Sequence, residues 1–82
     1  MVTTREMIQE WWTRGKAQNA THMIIVCDTF DHEDYPVFVM PGEDVHQKVA
    51  EYNGPNMQRV MEVYNFAMKF EKQLAEYRAF NC

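Results

Sequence analysis

Reactive side chains crowd into one stretch of this chain, Asp28-Thr-Phe-Asp31-His32-Glu33-Asp34-Tyr35. Four carboxylates and an imidazole within seven positions are a donor set for a hard cation. The spacing is not that of an EF-hand loop, which turns on a glycine at its sixth position; counted from Asp28, that position holds Glu33. Two other uses compete. The segment can be a solvated turn in which Asp28 or Asp31 caps its own backbone, or an acidic recognition loop. The nitrogen and sulfur ligands for zinc are His22, His32, His46, Cys27 and Cys82, with no CxxC, HxxxH or HExxH spacing among them. No metal site is assigned. Cys27 with His32 is a thinkable nucleophile and base. However, an apolar run on one side of Cys27 and Asp28 on the other raise a thiol pKa, which disfavours the reactive thiolate. There is no GxSxG, and three glycines leave little material for a phosphate cradle. No catalytic residue and no cofactor is assigned, and the chain reads as a non-enzymatic protein. The alternative from the enzyme class is a small metal-dependent catalyst using Asp28 and His32.

Charge is the more informative surface signal. Between Ala20 and Gln58 lie seven acids (Asp28, Asp31, Glu33, Asp34, Glu43, Asp44 and Glu51) and one base, Lys48, a net −6. The remaining segments hold five acids and seven bases, a net +2. The whole chain stands at −4, which argues against direct nucleic-acid binding through net charge. If the loop and the Glu43–Asp44 region meet, they form one negative face. Such a face attracts a basic protein surface and accelerates encounter. On that reading Asp28, Asp31, Glu33, Asp34, Tyr35, Glu43 and Asp44 contact the partner.

Eighty-two residues, 46% hydrophobic and 24% charged, make one small globular domain, residues 1–82. The longest apolar run, Met23–Cys27, has five residues, whereas a membrane-spanning helix takes roughly 20. The N-terminus lacks the basic-then-apolar layout of a signal peptide. Two cysteines fall short of the dense disulfide frameworks of small secreted domains. These features together predict a cytoplasmic protein with free thiols, Cys27 acting as a small buried hydrophobe.

A first helix follows from a capping box at Thr3 and Glu6 and from Ile8, Trp11, Trp12 and Gly15 on one face; it fades around Ala17–Asn19. Adjacent helical positions point about 100° apart, so one tryptophan can sit inside and the other at the margin, or both can lie under the sheet. His22–Cys27 is short, continuous and β-branched, a strand buried on both faces. Asp28–Tyr35 is a long acidic connection, and Pro36–Met40 a second strand pairing antiparallel with the first. Pro41-Gly-Glu43-Asp44 opens a second helix, with Val45, Val49 and Tyr52 on one face, and Asn53-Gly54-Pro55 stops it. The stretch from Asn56 to Tyr77 has no Gly or Pro and predicts a long C-terminal helix with two apolar stripes. Met57, Val60, Met61, Tyr64 and Met68 form one; Val63, Phe66, Phe70, Leu74 and Tyr77 form the other. One stripe covers the hairpin. The other can build a homodimer or higher oligomer through Met57, Met61, Tyr64, Met68, Phe70 and Leu74. The expected fold is α+β: an α-β-β-α-α domain, a two-stranded antiparallel hairpin packed by helices.

Three segments, THMIIVCDTF (Thr21–Phe30), EDYPVFV (Glu33–Val39) and NMQRVMEVY (Asn56–Tyr64), resemble a group of short proteins encoded in bacteriophage and prophage genomes, over residues 20–80. The resemblance carries no catalytic residues. It implies a small protein that acts in the host cytoplasm by binding: either an anti-CRISPR-like blocker of a host defence protein or an oligomeric sponge for a nucleotide signal. In the first case the acidic hairpin docks on the basic nucleic-acid groove of a host complex. In the second, Trp11, Trp12, Arg59 and Tyr64 contact the nucleotide.

Overall fold

A computed structural model describes residues 4–54, 57–76 and 78–82. Helix α1 (Arg5–Ala17) leads into strands β1 (His22–Asp28) and β2 (Glu33–Val39), helix α2 (Val45–Tyr52), strand β3 (Gln58–Asn65) and the short helix α3 (Phe70–Leu74). The strands form one antiparallel sheet in the order β2-β1-β3. The α+β class stands; the expected α-β-β-α-α order, two-stranded hairpin and long C-terminal helix do not.

Central strand β1 explains the layering. Met23, Ile24, Ile25 and Val26 are all buried, so successive side chains need apolar cover on opposite faces of the sheet. On one face Met23 and Ile25 join Ile8, Trp11, Trp12, Tyr64 and Ala79, with Phe38, Met61, Phe66, Phe70 and Leu74 packed around them. On the other, Ile24 and Val26 join Val39, Val60 and Val63, covered by Val45, Val49 and Tyr52 of α2. Helices α1 and α3 are thus one outer layer and α2 is the other.

Helix α1 buries the face anticipated from sequence, Ile8, Trp11, Trp12 and Gly15. Both tryptophans lie inside. Trp12 stacks on Phe66 with centroids 4.2 Å apart and meets Phe70 at 4.8 Å and the edge of Tyr64 at 6.5 Å. The N-cap is Thr4, whose hydroxyl accepts from the Met7 amide at 3.2 Å; the proposed cap Thr3 lies outside the described residues. Gly15 is where the helix touches the sheet layer: a methyl there would sit 2.8 and 2.9 Å from the Phe38 ring and press on Phe66.

The segment 58–65 is a strand because of a bulge. Ile25 pairs with Glu62 and Val26 with Val60, so Met61 is an extra residue in β3. The insertion puts Val60 and Val63 on one face and turns Met61 and Tyr64 toward the other. Spacings of three on both faces imitate a helix, and they produced the expectation of one from Asn56 to Tyr77. The chain leaves β3 at Asn65, whose side chain accepts from the Ala67 amide at 2.8 Å, a turn incompatible with continuing the ladder. Asn56 and Tyr77, the expected ends of that helix, lie outside the described residues.

Gln73, fully buried on α3, ties the C-terminal region together. Its Oε1 accepts from the Asn65 amide at 2.7 Å and from Asn81 Nδ2 at 3.0 Å; its Nε2 donates to the carbonyls of Asn65 at 2.9 Å and Lys69 at 3.2 Å. Beyond it, the Val63 amide donates to Ala79 O and the Asn81 amide to Val63 O, a short parallel bridge on the outer edge of β3.

Two stability outcomes follow. Gln73→Ala strands several buried backbone groups and leaves a cavity, lowering unfolding free energy by about 3 kcal/mol in urea titration. Gly15→Ala gains about 1 kcal/mol of helix propensity but overpacks the Phe38–Phe66 contact by about 1–3 kcal/mol; the same titration should read net destabilisation.

Candidate functional site

The hairpin tip is where exposed apolar surface and acidic charge coincide. Its loop is short: β1 and β2 pair from His22↔Val39 down to Asp28↔Glu33, leaving four residues, Thr29 to His32. Asp34, Tyr35 and Pro36, expected in or just after the connection, belong to β2. Pro36 is tolerated mid-strand because β2 is an edge strand.

Local bonds fix the tip. Asp28 Oδ1 accepts from the Phe30 amide at 2.8 Å, and Asp31 Oδ1 accepts from the Glu33 amide at 3.1 Å. The His32 amide donates to Asp28 O at 2.8 Å, with His32 in the left-handed region at φ +60°. Thr29 donates through both its amide and its hydroxyl to Met57 O, each at 2.7 Å, clamping the tip to the entry of β3. The turn so held leaves Phe30 77% exposed, and Met57 beside the clamp is 55% exposed. Asp28, Asp31 and Glu33 belong to the same turn as Phe30.

Lower on the hairpin, the Gln58 amide Nε2 donates to Tyr35 Oη. Burial and then the neighbouring Tyr52 push the Tyr35 hydroxyl pKa up, so Tyr35 stays protonated. Cys27 is half-buried, not a core residue, and its thiol donates weakly to Asp28 O at 3.7 Å. Burial raises its pKa, with Asp34 and Asp28 adding and Arg59 opposing. A thiol held protonated is a poor nucleophile near neutral pH. Among the described residues, no group of three or more His, Cys, Asp or Glu gathers to hold a metal ion.

The sheet separates the two acidic groups. The tip lies at the Asp28–Glu33 end, while α2 starts beyond Val39 at the other end of β2. Seven strand residues at about 3.3 Å each put roughly 20 Å between them, so the single negative face does not form. Glu43 and Asp44 have local duties instead. Glu43 accepts from the Met40 amide at 2.8 Å and pairs with Lys48 at 3.3 Å; Asp44 caps α2 through the His46 amide at 2.9 Å.

The other sequence candidates scatter. Tyr64 is 1% exposed and Trp11 and Trp12 are buried beside it, whereas Arg59 sits across from Cys27 near the tip. Met61, Phe70 and Leu74 pack against the core cluster; Met57 and Met68 are exposed but on different loops. No shared apolar stripe exists, because the helix that would carry it is absent.

Two features escaped sequence reasoning. Phe30 is the lone large apolar side chain in the acidic connection, and a residue fixed in so short a turn has nothing to bury against. Glu62 is half-buried on β3, accepting from Tyr64 Oη at 3.4 Å and from the Ala79 amide at 3.2 Å. Burial raises its carboxyl above the ordinary 4.5 despite those bonds, and also raises Tyr64. No family model matches this chain, no curated protein matches it, and no solved structure matches its fold.

The folded state therefore holds the Glu62 proton more tightly than the unfolded chain does. Its stabilising contribution is full below the ordinary value of 4.5 and is lost as pH rises through the raised one. Urea midpoints measured across that interval should fall with rising pH, and Glu62→Gln should remove that part of the slope.

Proposed function

We propose that this chain is a non-enzymatic binding protein whose hairpin tip enters an apolar pocket rimmed by basic residues on a partner protein. The observation that carries the reading is Phe30, 77% exposed on a tip held by the Asp28 and Asp31 turns and the Thr29 clamp. Leaving a large aromatic in water while fixing its backbone is the arrangement of an interface anchor: the ring brings area, and its position needs little further ordering on binding. Asp28, Asp31 and Glu33 steer the encounter toward a basic surface and speed it at low salt. Glu43 and Asp44, at the far end of β2, fall outside this contact. In the setting the phage-protein resemblance implies, the partner is a cytoplasmic host defence protein, blocked where its basic groove would otherwise take nucleic acid.

Capture from bacterial lysate with the tagged chain, alongside Phe30→Ala and a double variant Asp31→Asn/Glu33→Lys, tests the proposal. Asparagine keeps the turn acceptor at position 31 while removing its charge. A basic protein should be retained by the unmodified chain and lost by at least about tenfold with Phe30→Ala. The double variant should mainly slow association, an effect that shrinks in high salt. Equal retention by all three, or retention of nothing, counts against the reading.

A further inference from the structure

A concavity lies on the α1/α3 layer, between α1 and the start of α3. It is a groove of about 610 Å³ lined by Gln9, Trp12, Thr13, Lys69, Phe70 and Lys72, with Glu71 also at its wall. The floor is aromatic: the edge of Trp12 and the ring of Phe70, whose centroids lie 4.8 Å apart. The rim is basic, two lysines against one glutamate. Lys16, three residues after Thr13 and four after Trp12, extends the same helix face. A cavity of roughly 150 Å³ accepts a benzene ring, so this groove has room for an aromatic side chain with its flanking backbone.

The tip offers the converse: a projecting phenyl ring with carboxylates in the same turn. We propose that the groove receives the Phe30 tip of a second copy of this chain. Phe30 would lie on the Trp12–Phe70 floor while Asp28, Asp31 and Glu33 face Lys69, Lys72 and Lys16. The inference rests on the tip being a docking element, as argued above, and names one of its partners.

Geometry sets the form of the assembly. The tip closes the sheet at its Asp28–Glu33 end, whereas α3 follows Asn65, which pairs with His22 at the opposite end. The eight residues of β3 set these ends roughly 25 Å apart, so a chain cannot fill its own groove. The contact uses two different surfaces: repeated head to tail it generates rings or open chains, and made reciprocally it closes a two-fold dimer. One loop in one groove buries less than a standard interface, and association is correspondingly weak. Self-docking also occupies Phe30, so it competes with any other partner of the tip.

Sedimentation velocity on the full chain tests this, with Phe30→Ala disabling the tip and Lys69→Glu/Lys72→Glu disabling the groove. All three positions are exposed or half-open, and circular dichroism checks that each variant folds. The unmodified chain should sediment faster as concentration rises toward about 1 mM, the range for weak contacts, and should revert to monomer in about 0.5 M salt. Each variant alone should remain monomeric. Their mixture should form a one-to-one dimer and nothing larger, because only one intact tip and one intact groove remain. A monomeric unmodified chain, self-association surviving in both variants, or a mixture that stays monomeric overturns the proposal. Phe30-dependent capture of a different protein would still stand in those cases; loss of that capture with self-association intact would overturn the other reading alone.

Discussion

Everything in this fold depends on one strand needing cover on two sides. Met23, Ile24, Ile25 and Val26 place consecutive apolar side chains on opposite faces of β1, so a single helical layer cannot bury them. The chain has 82 residues with which to solve this, and small domains bury a modest share of their surface. It divides its bulk unequally. Aromatic rings and methionines dominate the α1/α3 side, and Ile24, valines and two tyrosines, Tyr35 and Tyr52, fill the α2 side. No residue of α2 is fully buried, so that helix is the lighter cover, joined to the sheet by half-buried Val45, Val49 and Tyr52. The fully buried Gln73 makes up for the brevity of α3: a five-residue helix has little intrinsic stability, and its place is set by the amide's bonds to Asn65, Lys69 and Asn81.

Placing apolar mass in the layers leaves the ends of the sheet to polar chemistry. At one end lie the four-residue tip and the entry from α2 into β3; at the other α1 leads into β1, β2 into α2 and β3 into α3. Charge follows the same division. The segment holding the hairpin and α2 is strongly acidic, while the flanking segments that supply α1 and α3 are mildly basic. Phe30 projects from the acidic segment.

How far the sequence revealed this depended on whether spacing reported the backbone faithfully. The β1 run read correctly because four adjacent buried residues admit few alternatives, and α1 because Ile8, Trp11, Trp12 and Gly15 keep a true helical period. Segment 58–65 misled because Met61 is a bulge. One inserted residue shifts the phase of a two-residue alternation, and the resulting spacing of three between Val60 and Val63, and between Met61 and Tyr64, matches a helix. The absence of Gly and Pro across 56–77 then carried the error through Asn65, whose side-chain turn ends the strand. The acidic residues were legible as a group but not as two groups. Their separation follows from the antiparallel path of β2, which charge counting along the chain does not contain. Phe30 was passed over because its acidic neighbours dominate the reading of that loop, although a large apolar residue in a tight turn is the more unusual observation.

The tip and the core are held by different forces, and this bears on what the tip can do. The core is dispersion and burial spread over many contacts. The tip is a few hydrogen bonds from Asp28, Thr29 and Asp31 to backbone groups within reach. Changing Phe30 alters neither set, because the ring touches solvent and the turn is built from its neighbours. A surface residue uncoupled from stability in this way is free to vary with whatever it meets, while the turn preserves its direction. The carboxylates of the same turn contribute on a different axis. Acting through water over distances near a Debye length of about 8–10 Å, they govern how often partners meet. The phenyl ring, once desolvated in a pocket, governs how long they stay. Rate and lifetime are thus assigned to separate side chains on one short loop, and salt should move the first while leaving the second nearly unchanged.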